Sequence, residues 1–205
     1  VQESGHPQAK VTRSVEETGA ATAATGRVRI GIAVESGPRI VVGAITLDGN
    51  RALDEGTLRQ VMQLRPGEPF FAPLVAADRS AVETTYRNRG FTDARVAVSA
   101  QPATDGPRAD LDYTIREGEQ AVIQHVIVTG NARTGVDTIL REARLSSGQP
   151  LGTQDMADAQ RRLSALGLFR RVRIEAVAEP GERLRNVVIS VEENAPTTVG
   201  YGAGV

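Results

Sequence analysis

Few residues in this chain are equipped for chemistry, and their spacing argues against catalysis. There are two histidines, His6 and His125, and no cysteine. The missing thiols remove disulfides, thiolate metal sites and cysteine nucleophiles. Neither histidine stands beside a nucleophile motif, and no G-x-S-x-G elbow occurs. His125 alternates with Val126 along an apolar run, as an exposed or hydrogen-bonded strand side chain does. Asp110 and Asp112 share one strand face and would suit paired carboxylates or a metal. The same spacing is ordinary for a polar outer face, and that reading is preferred. Arg161-Arg162 and Arg170-Arg171 resemble an anion site, yet Asp155, Asp158 and Glu175 lie close, so a solvated face accounts for them. The run Gly200, Gly202, Gly204 has no helix after it and is not a dinucleotide fingerprint. No catalytic set, cofactor or metal site emerges, which leaves main-chain hydrogen bonding as the chemistry to consider.

Composition narrows the class further. Apolar residues make up 40% of the 205 and charged residues 24%, as in soluble globular domains. A net charge of −1 gives no electrostatic basis for binding nucleic acid. No apolar run reaches the roughly 18 residues of a spanning helix. The N-terminus lacks a secretory leader, and a start at Val1 reads as a fragment or a processed chain.

The elements that must position any site come in repeats. Ile45-Thr46-Leu47-Asp48-Gly49-Asn50 and Val126-Ile127-Val128-Thr129-Gly130-Asn131 are two copies of one strand end, 81 residues apart from Gly49 to Gly130. The Gly-Asn pairs read as turns, since both residue types tolerate left-handed backbone. In the first full copy a strand over 40–47 precedes a helix carrying Leu58, Val61, Met62 and Leu64. Gly67-Glu68-Pro69 breaks it, and a second helix runs over 74–88 to a stop at Gly90. Two alternating strands follow, one through Ala94, Val96, Val98 and Ala100, the other through Leu111, Tyr113 and Ile115. The next copy repeats the order. Its strand is 122–129, and Thr134 with Asp137 forms a capping box before Val136, Ile139, Leu140 and Ala143. Gly148-Gln149-Pro150 follows, Thr153 caps the second helix, and Gly167 stops it. Strands through Val172 and Ile174, and through Val187, Ile189 and Val191, close the copy. Phe91 and Phe169 follow the helix stops as core plugs.

Each copy is thus β-α-α-β-β, an α+β unit with two helices over a three-stranded mixed sheet. The first 37 residues match only the closing hairpin, with Gly37 at the place of Gly118. They are expected to be the end of an earlier copy and less well ordered, because a lone hairpin is marginal in water. If the last strand of each unit is central, the second strand becomes a free edge that offers unpaired backbone groups.

The tail Val199, Tyr201, Ala203, Val205 alternates with Gly200, Gly202 and Gly204, as a barrel strand facing lipid on one side would. With the Gly-Asn strand ends, the Gly-x-Pro loops, Arg89-Gly90-Phe91, Leu166-Gly167-Leu168-Phe169, and the closures Arg116-Glu117-Gly118 and Val191-Glu192-Glu193, the chain resembles a family. It is similar to the POTRA (polypeptide-transport-associated) domains of the BamA/TamA outer-membrane-protein assembly superfamily. The resemblance implies tandem POTRA repeats: residues 1–37 ending one repeat, 38–118 and 119–194 full repeats, and 195–205 starting a β-barrel strand that continues beyond Val205.

What it implies for function is a periplasmic region of an outer-membrane assembly and insertion factor. The expected partners are unfolded outer-membrane proteins and accessory assembly subunits, with no enzyme activity and no cofactor. The expected mechanism is β-augmentation, in which an extended client adds a strand to an open edge. The candidate backbone edges are Arg95, Val96, Ala97, Val98 and Ser99, and Arg171, Val172, Arg173 and Ile174. The resemblance also extends to the POTRA region of two-partner secretion exporters and to POTRA-like structural scaffolds, which stand as alternatives.

Overall fold

The computed structural model describes residues 5–18, 27–104, 106–177 and 182–195. The expected barrel strand of 195–205 falls outside them, apart from Ala195. The described chain forms β1 (Lys10–Thr18), β2 (Arg27–Glu35), β3 (Val41–Asp48), α1 (Glu55–Val61), α2 (Ala72–Arg87), β4 (Arg95–Pro102) and β5 (Arg108–Arg116), then β6 (Val122–Thr129), α3 (Val136–Ala143), α4 (Thr153–Ala165), β7 (Phe169–Val177) and β8 (Leu184–Glu193). The β-α-α-β-β order expected from the repeats is present twice. No helix among the described residues is long and apolar enough to cross a membrane, which says nothing of a β-barrel.

Two compact units divide the chain: Val1–Val82 with Val96–Arg116, and Glu83–Arg95 with Glu117–Val205. The first unit holds two sheets. One is the antiparallel hairpin β1-β2, paired from Lys10↔Glu35 to Thr18↔Arg27. The other has the order β3-β5-β4, with β3 parallel to β5. Val42, Ile45, Leu58, Met62, Leu64, Val82, Leu111 and Tyr113 are buried here. Along β5 alternation sends every second side chain inward, while in β3 the two buried residues Val42 and Ile45 are separated by a bulge. Asp54 starts α1 by accepting the Thr57 hydroxyl at 2.7 Å and the Thr57 N–H at 2.8 Å, an N-cap that holds its own carboxyl below the usual range.

α1 stops at Val61, one turn earlier than the apolar spacing through Leu64 predicts. Met62 is already extended, and the freed N–H groups of Gln63 and Leu64 donate to Asp78 of α2 at 2.7 and 3.0 Å. Asp78 is fully buried, the one buried charged residue among those described. Two well-aligned donors make that burial tolerable. Burial, and then the charge of Asp78, push the Tyr113 hydroxyl up to about 12.

The second unit has the sheet order β6-β8-β7, with β6 parallel and β7 antiparallel to β8. Its core joins Ile123, Ile139, Leu151, Leu163, Phe169, Val187 and Ile189. Phe169 therefore plugs the core as expected. Phe91 also packs, its ring edge-on to Tyr86 at 5.7 Å. The expected caps differ. α3 begins after Gly135 and α4 after Gly152, neither with a side-chain cap. Thr153 is the first residue of α4, and Thr134 is occupied elsewhere: its N–H donates to Glu193 at 2.8 Å. The Glu193 carboxylate, arriving from β8, takes the Thr134 N–H that Asp137 would accept in a capping box.

Candidate functional site

Sheet edges are where unpaired main chain accumulates, so the fate of each outer strand decides what this molecule can bind. The start of the first strand in each three-stranded sheet is covered by the Gly-x-Pro loop. Val42 N donates to Glu68 O at 2.8 Å, Gly67 N to Val42 O at 2.8 Å, and Phe70 N to Ile40 O at 3.0 Å. In the second unit Ile123 N donates to Gln149 O at 2.9 Å, Gly148 N to Ile123 O at 2.8 Å, and Leu151 N to Ala121 O at 2.9 Å. The loops that read as helix breakers in the sequence are short edge covers, completed by the bridges Val41↔Pro69 and Val122↔Pro150.

Just past each cover the strand bulges, between Val42 and Ile45 in β3 and between Ile123 and Val126 in β6. Asp110 accepts the Ala44 N–H at 2.7 Å in the first bulge. At the matching place Asn186 Oδ1 lies 3.3 Å from His125 Nδ1. Asp112 accepts the Thr46 hydroxyl. The two aspartates thus serve the strand as a polar face, and His125 meets an amide rather than a nucleophile. No group of three or more His, Asp or Glu is placed to hold a metal among the described residues.

The opposite edges have no such cover among the described residues. β4 and β7 lie at the ends of the orders β3-β5-β4 and β6-β8-β7. The candidate residues all fall on them: Arg95, Val96, Ala97, Val98 and Ser99 on β4, and Arg171, Val172, Arg173 and Ile174 on β7. Val96 and Val172 turn their side chains into the core. Arg95, Arg171 and Arg173 stay exposed.

Charge around β7 is balanced. Arg170 and Arg171 both reach Glu192, at 2.8 and 3.3 Å, and Arg173 reaches Glu175 at 3.6 Å. Arg161 pairs with Asp158. Arg162 leaves the cluster altogether and donates to the carbonyls of Glu142 and Ala143 at the end of α3, at 3.0 and 2.7 Å. An anion-binding patch is thereby dismantled into pairs and a helix cap.

Two supporting residues escape a reading of the sequence. Asp78 interrupts the apolar face of α2 between Leu74 and Val82, and that interruption is its only signal. Glu193 closes β8 and accepts the N–H groups of Arg133 and Thr134 at 3.1 and 2.8 Å, with the Arg133 guanidinium at 3.1 Å. These donors hold its carboxyl down at about 2. Glu117 ends β5 in the corresponding place and accepts the Tyr86 hydroxyl at 2.9 Å. Burial, and then that contact, raise the tyrosine well above its ordinary value.

The fold with its two sealed and two open edges has counterparts. The family model for POTRA, described as surface antigen variable number repeat, matches residues 40–118 and 121–194. The chain belongs to the POTRA family. Its POTRA repeats are similar to the outer membrane protein assembly factor BamA of Nitratidesulfovibrio vulgaris, 25% identical over 179 residues, covering 85% of this chain and 23% of that protein. A putative outer membrane protein assembly factor of Treponema pallidum is 30% identical over 151 residues, covering 65% of this chain and 18% of that protein. The POTRA chain therefore spans less than a quarter of the length of these curated relatives. Among solved structures, Haemophilus influenzae BamA POTRA3-5 superposes with a TM-score of 0.58 at 18% identity, over 94% of this chain and 75% of that one. BamA from Haemophilus ducreyi lacking POTRA domains 1-3 gives 0.61 at 19%, over 76% of this chain and 29% of that one. These two likenesses establish the POTRA fold.

Proposed function

We propose that the chain is the periplasmic POTRA region of an outer-membrane protein assembly factor, and that it receives extended client segments by strand addition on β4 and β7. The observation that carries this reading is the one-sided sheet: the start of the first strand is covered by its own loop in both repeats, and no loop covers the second strand among the described residues. Main-chain pairing supplies affinity with little demand on sequence, which suits a receptor for many unfolded clients. Arg95, Arg171 and Arg173 flank these edges, and such charges discourage uncontrolled pairing between copies. Residues 1–37 belong to this reading as the end of a preceding repeat. Ile30 and Ile32 are 65% and 68% exposed, whereas their counterparts Leu111 and Tyr113 are 0% and 1% exposed. The helices of that repeat would cover this face.

The test is photo-crosslinking of an unfolded outer-membrane protein to probes placed along β4 and β7. Ala97→Pro removes one donor from the β4 edge and should reduce crosslinking there, with the circular dichroism of the repeat unchanged. Undiminished crosslinking in a folded Ala97→Pro protein would refute strand addition at β4.

A further inference from the structure

Each repeat in this chain hands over to the next through one backbone glycine. In the first unit Gly5 has φ +91° and its carbonyl accepts the Ile40 N–H at 2.6 Å. In the second, Gly90 has φ +89° and its carbonyl accepts the Ala121 N–H at 2.9 Å. Both glycines are buried. A Cβ on Gly5 would meet Ile40 O at 2.6 Å, and one on Gly90 would meet Ala121 O at 2.8 Å. The accepting strand then passes the relay on, Ile40 O to Phe70 N and Ala121 O to Leu151 N. A second glycine completes each hand-over. Gly37 and Gly118, with φ +67° and +72°, turn the closing strand toward the strand that follows.

The glycine that stops α4 breaks the pattern at both places. Gly167 keeps the left-handed φ of +69°, but it is exposed and nothing lies within 4 Å of its absent Cβ. Its carbonyl is taken at 2.7 Å by the side-chain amide of Asn194, and Asn194 N donates to Leu168 O at 2.9 Å. Asn194 stands where Gly37 and Gly118 stand in the other copies. It does not make their turn, because Arg144 is the only non-glycine residue with positive φ among those described.

We propose that Asn194 ends the series of docked repeats: its amide occupies the carbonyl that, in the earlier hand-overs, holds the first strand of the following repeat. A carboxamide N–H is the chemical equivalent of the peptide N–H it replaces, so the acceptor is satisfied without a partner. The repeat that ends at Asn194 is then closed to a further repeat docked through this joint. This inference concerns the repeats alone and stands whether or not clients bind by strand addition.

The experiment appends a second copy of residues 119–194 directly after Asn194, in the native form and as Asn194→Gly. Hydrogen exchange is read at the appended alanine that corresponds to Ala121, with Ala121 itself as the internal standard. With Asn194 in place the appended amide should exchange at the rate of an unpaired group. In Asn194→Gly it should slow by about tenfold or more as the joint forms. Equal protection in the two forms, or protection with Asn194 present, would overturn the proposal. If glycine costs the last repeat its own protection at Ile189, Asn194→Ala takes its place, and the appended copy must again dock better than behind Asn194.

Discussion

The Cβ that Gly49 lacks would stand 2.2 Å from the carbonyl oxygen of Ile115, and Gly49 sits at φ +89°. The same relationship recurs at Gly130, where the carbonyl of Val191 lies 2.1 Å from the missing atom at φ +83°. The corner is held further by Asn50 Nδ2, which donates to Leu53 O at 3.1 Å, and by Asn131 Nδ2, which donates to Thr134 O at 3.0 Å. A side chain at either glycine meets main chain that cannot give way, in a region that disfavours Cβ in any case. Gly49→Ala and Gly130→Ala should each lower stability by about 2–4 kcal/mol. The check is a fall in the urea midpoint of the affected unit without a change of slope.

Asp78→Ala should cost about 3 kcal/mol, because it leaves the Leu64 N–H buried and the Gln63 N–H part-buried without their acceptor. Asp78→Asn keeps one acceptor oxygen and should cost less. Thermal melts of the two variants give the ranking, and an Asp78→Ala protein as stable as the parent would show that the donors find another partner.

Glu193 sets a pH dependence whose sign follows from its donors. Its folded carboxyl is held at about 2 against an ordinary 4.5. Its contribution is therefore complete above pH 4.5 and is lost as pH falls toward 2. Glu193→Gln should be less stable than the parent at neutral pH, and the two should converge as acid is added. Melting midpoints across that window test this, and a constant gap between the two proteins would contradict it.

The strand phase, the helix stops and the Gly-Asn corners were legible because each is written in a short window of sequence. Alternation at Leu111, Tyr113 and Ile115 places the inward face, and the corner glycines mark where φ turns positive. What escaped was long-range. The Thr134–Asp137 capping box is a sound local pattern, but Glu193 arrives from 59 residues away and takes the Thr134 N–H. The early end of α1 depends on Asp78, supplied by the next helix. The edges Arg95 to Ser99 and Arg171 to Ile174 could be placed by topology alone. The sealing of the opposite edges could not, since Gly67-Glu68-Pro69 and Gly148-Gln149-Pro150 read only as breakers until their pairing with β3 and β6 is seen.

The hairpin β1-β2 should tolerate what the later hairpin cannot. Ile32 is 68% exposed and Ile189 is fully buried at the corresponding place. Ile32→Thr should change stability by no more than about 0.5 kcal/mol, whereas Ile189→Thr should cost about 2–3 kcal/mol. Amides of 28–34 should also exchange faster than those of 187–191. Equal sensitivity at Ile32 and Ile189 would mean that the exposed face is packed in solution.

The loop covers carry a consequence for growth. A sheet open on both sides can be extended from either one, so the order in which strands arrive is not defined. With the starts of β3 and β6 covered by residues 67–70 and 148–151, strand addition as proposed above would extend the sheets from β4 or β7. The far side of one arriving strand then becomes the place for the next. On the proposed strand-addition reading, client segments would then be laid down outward in the sequence of their arrival.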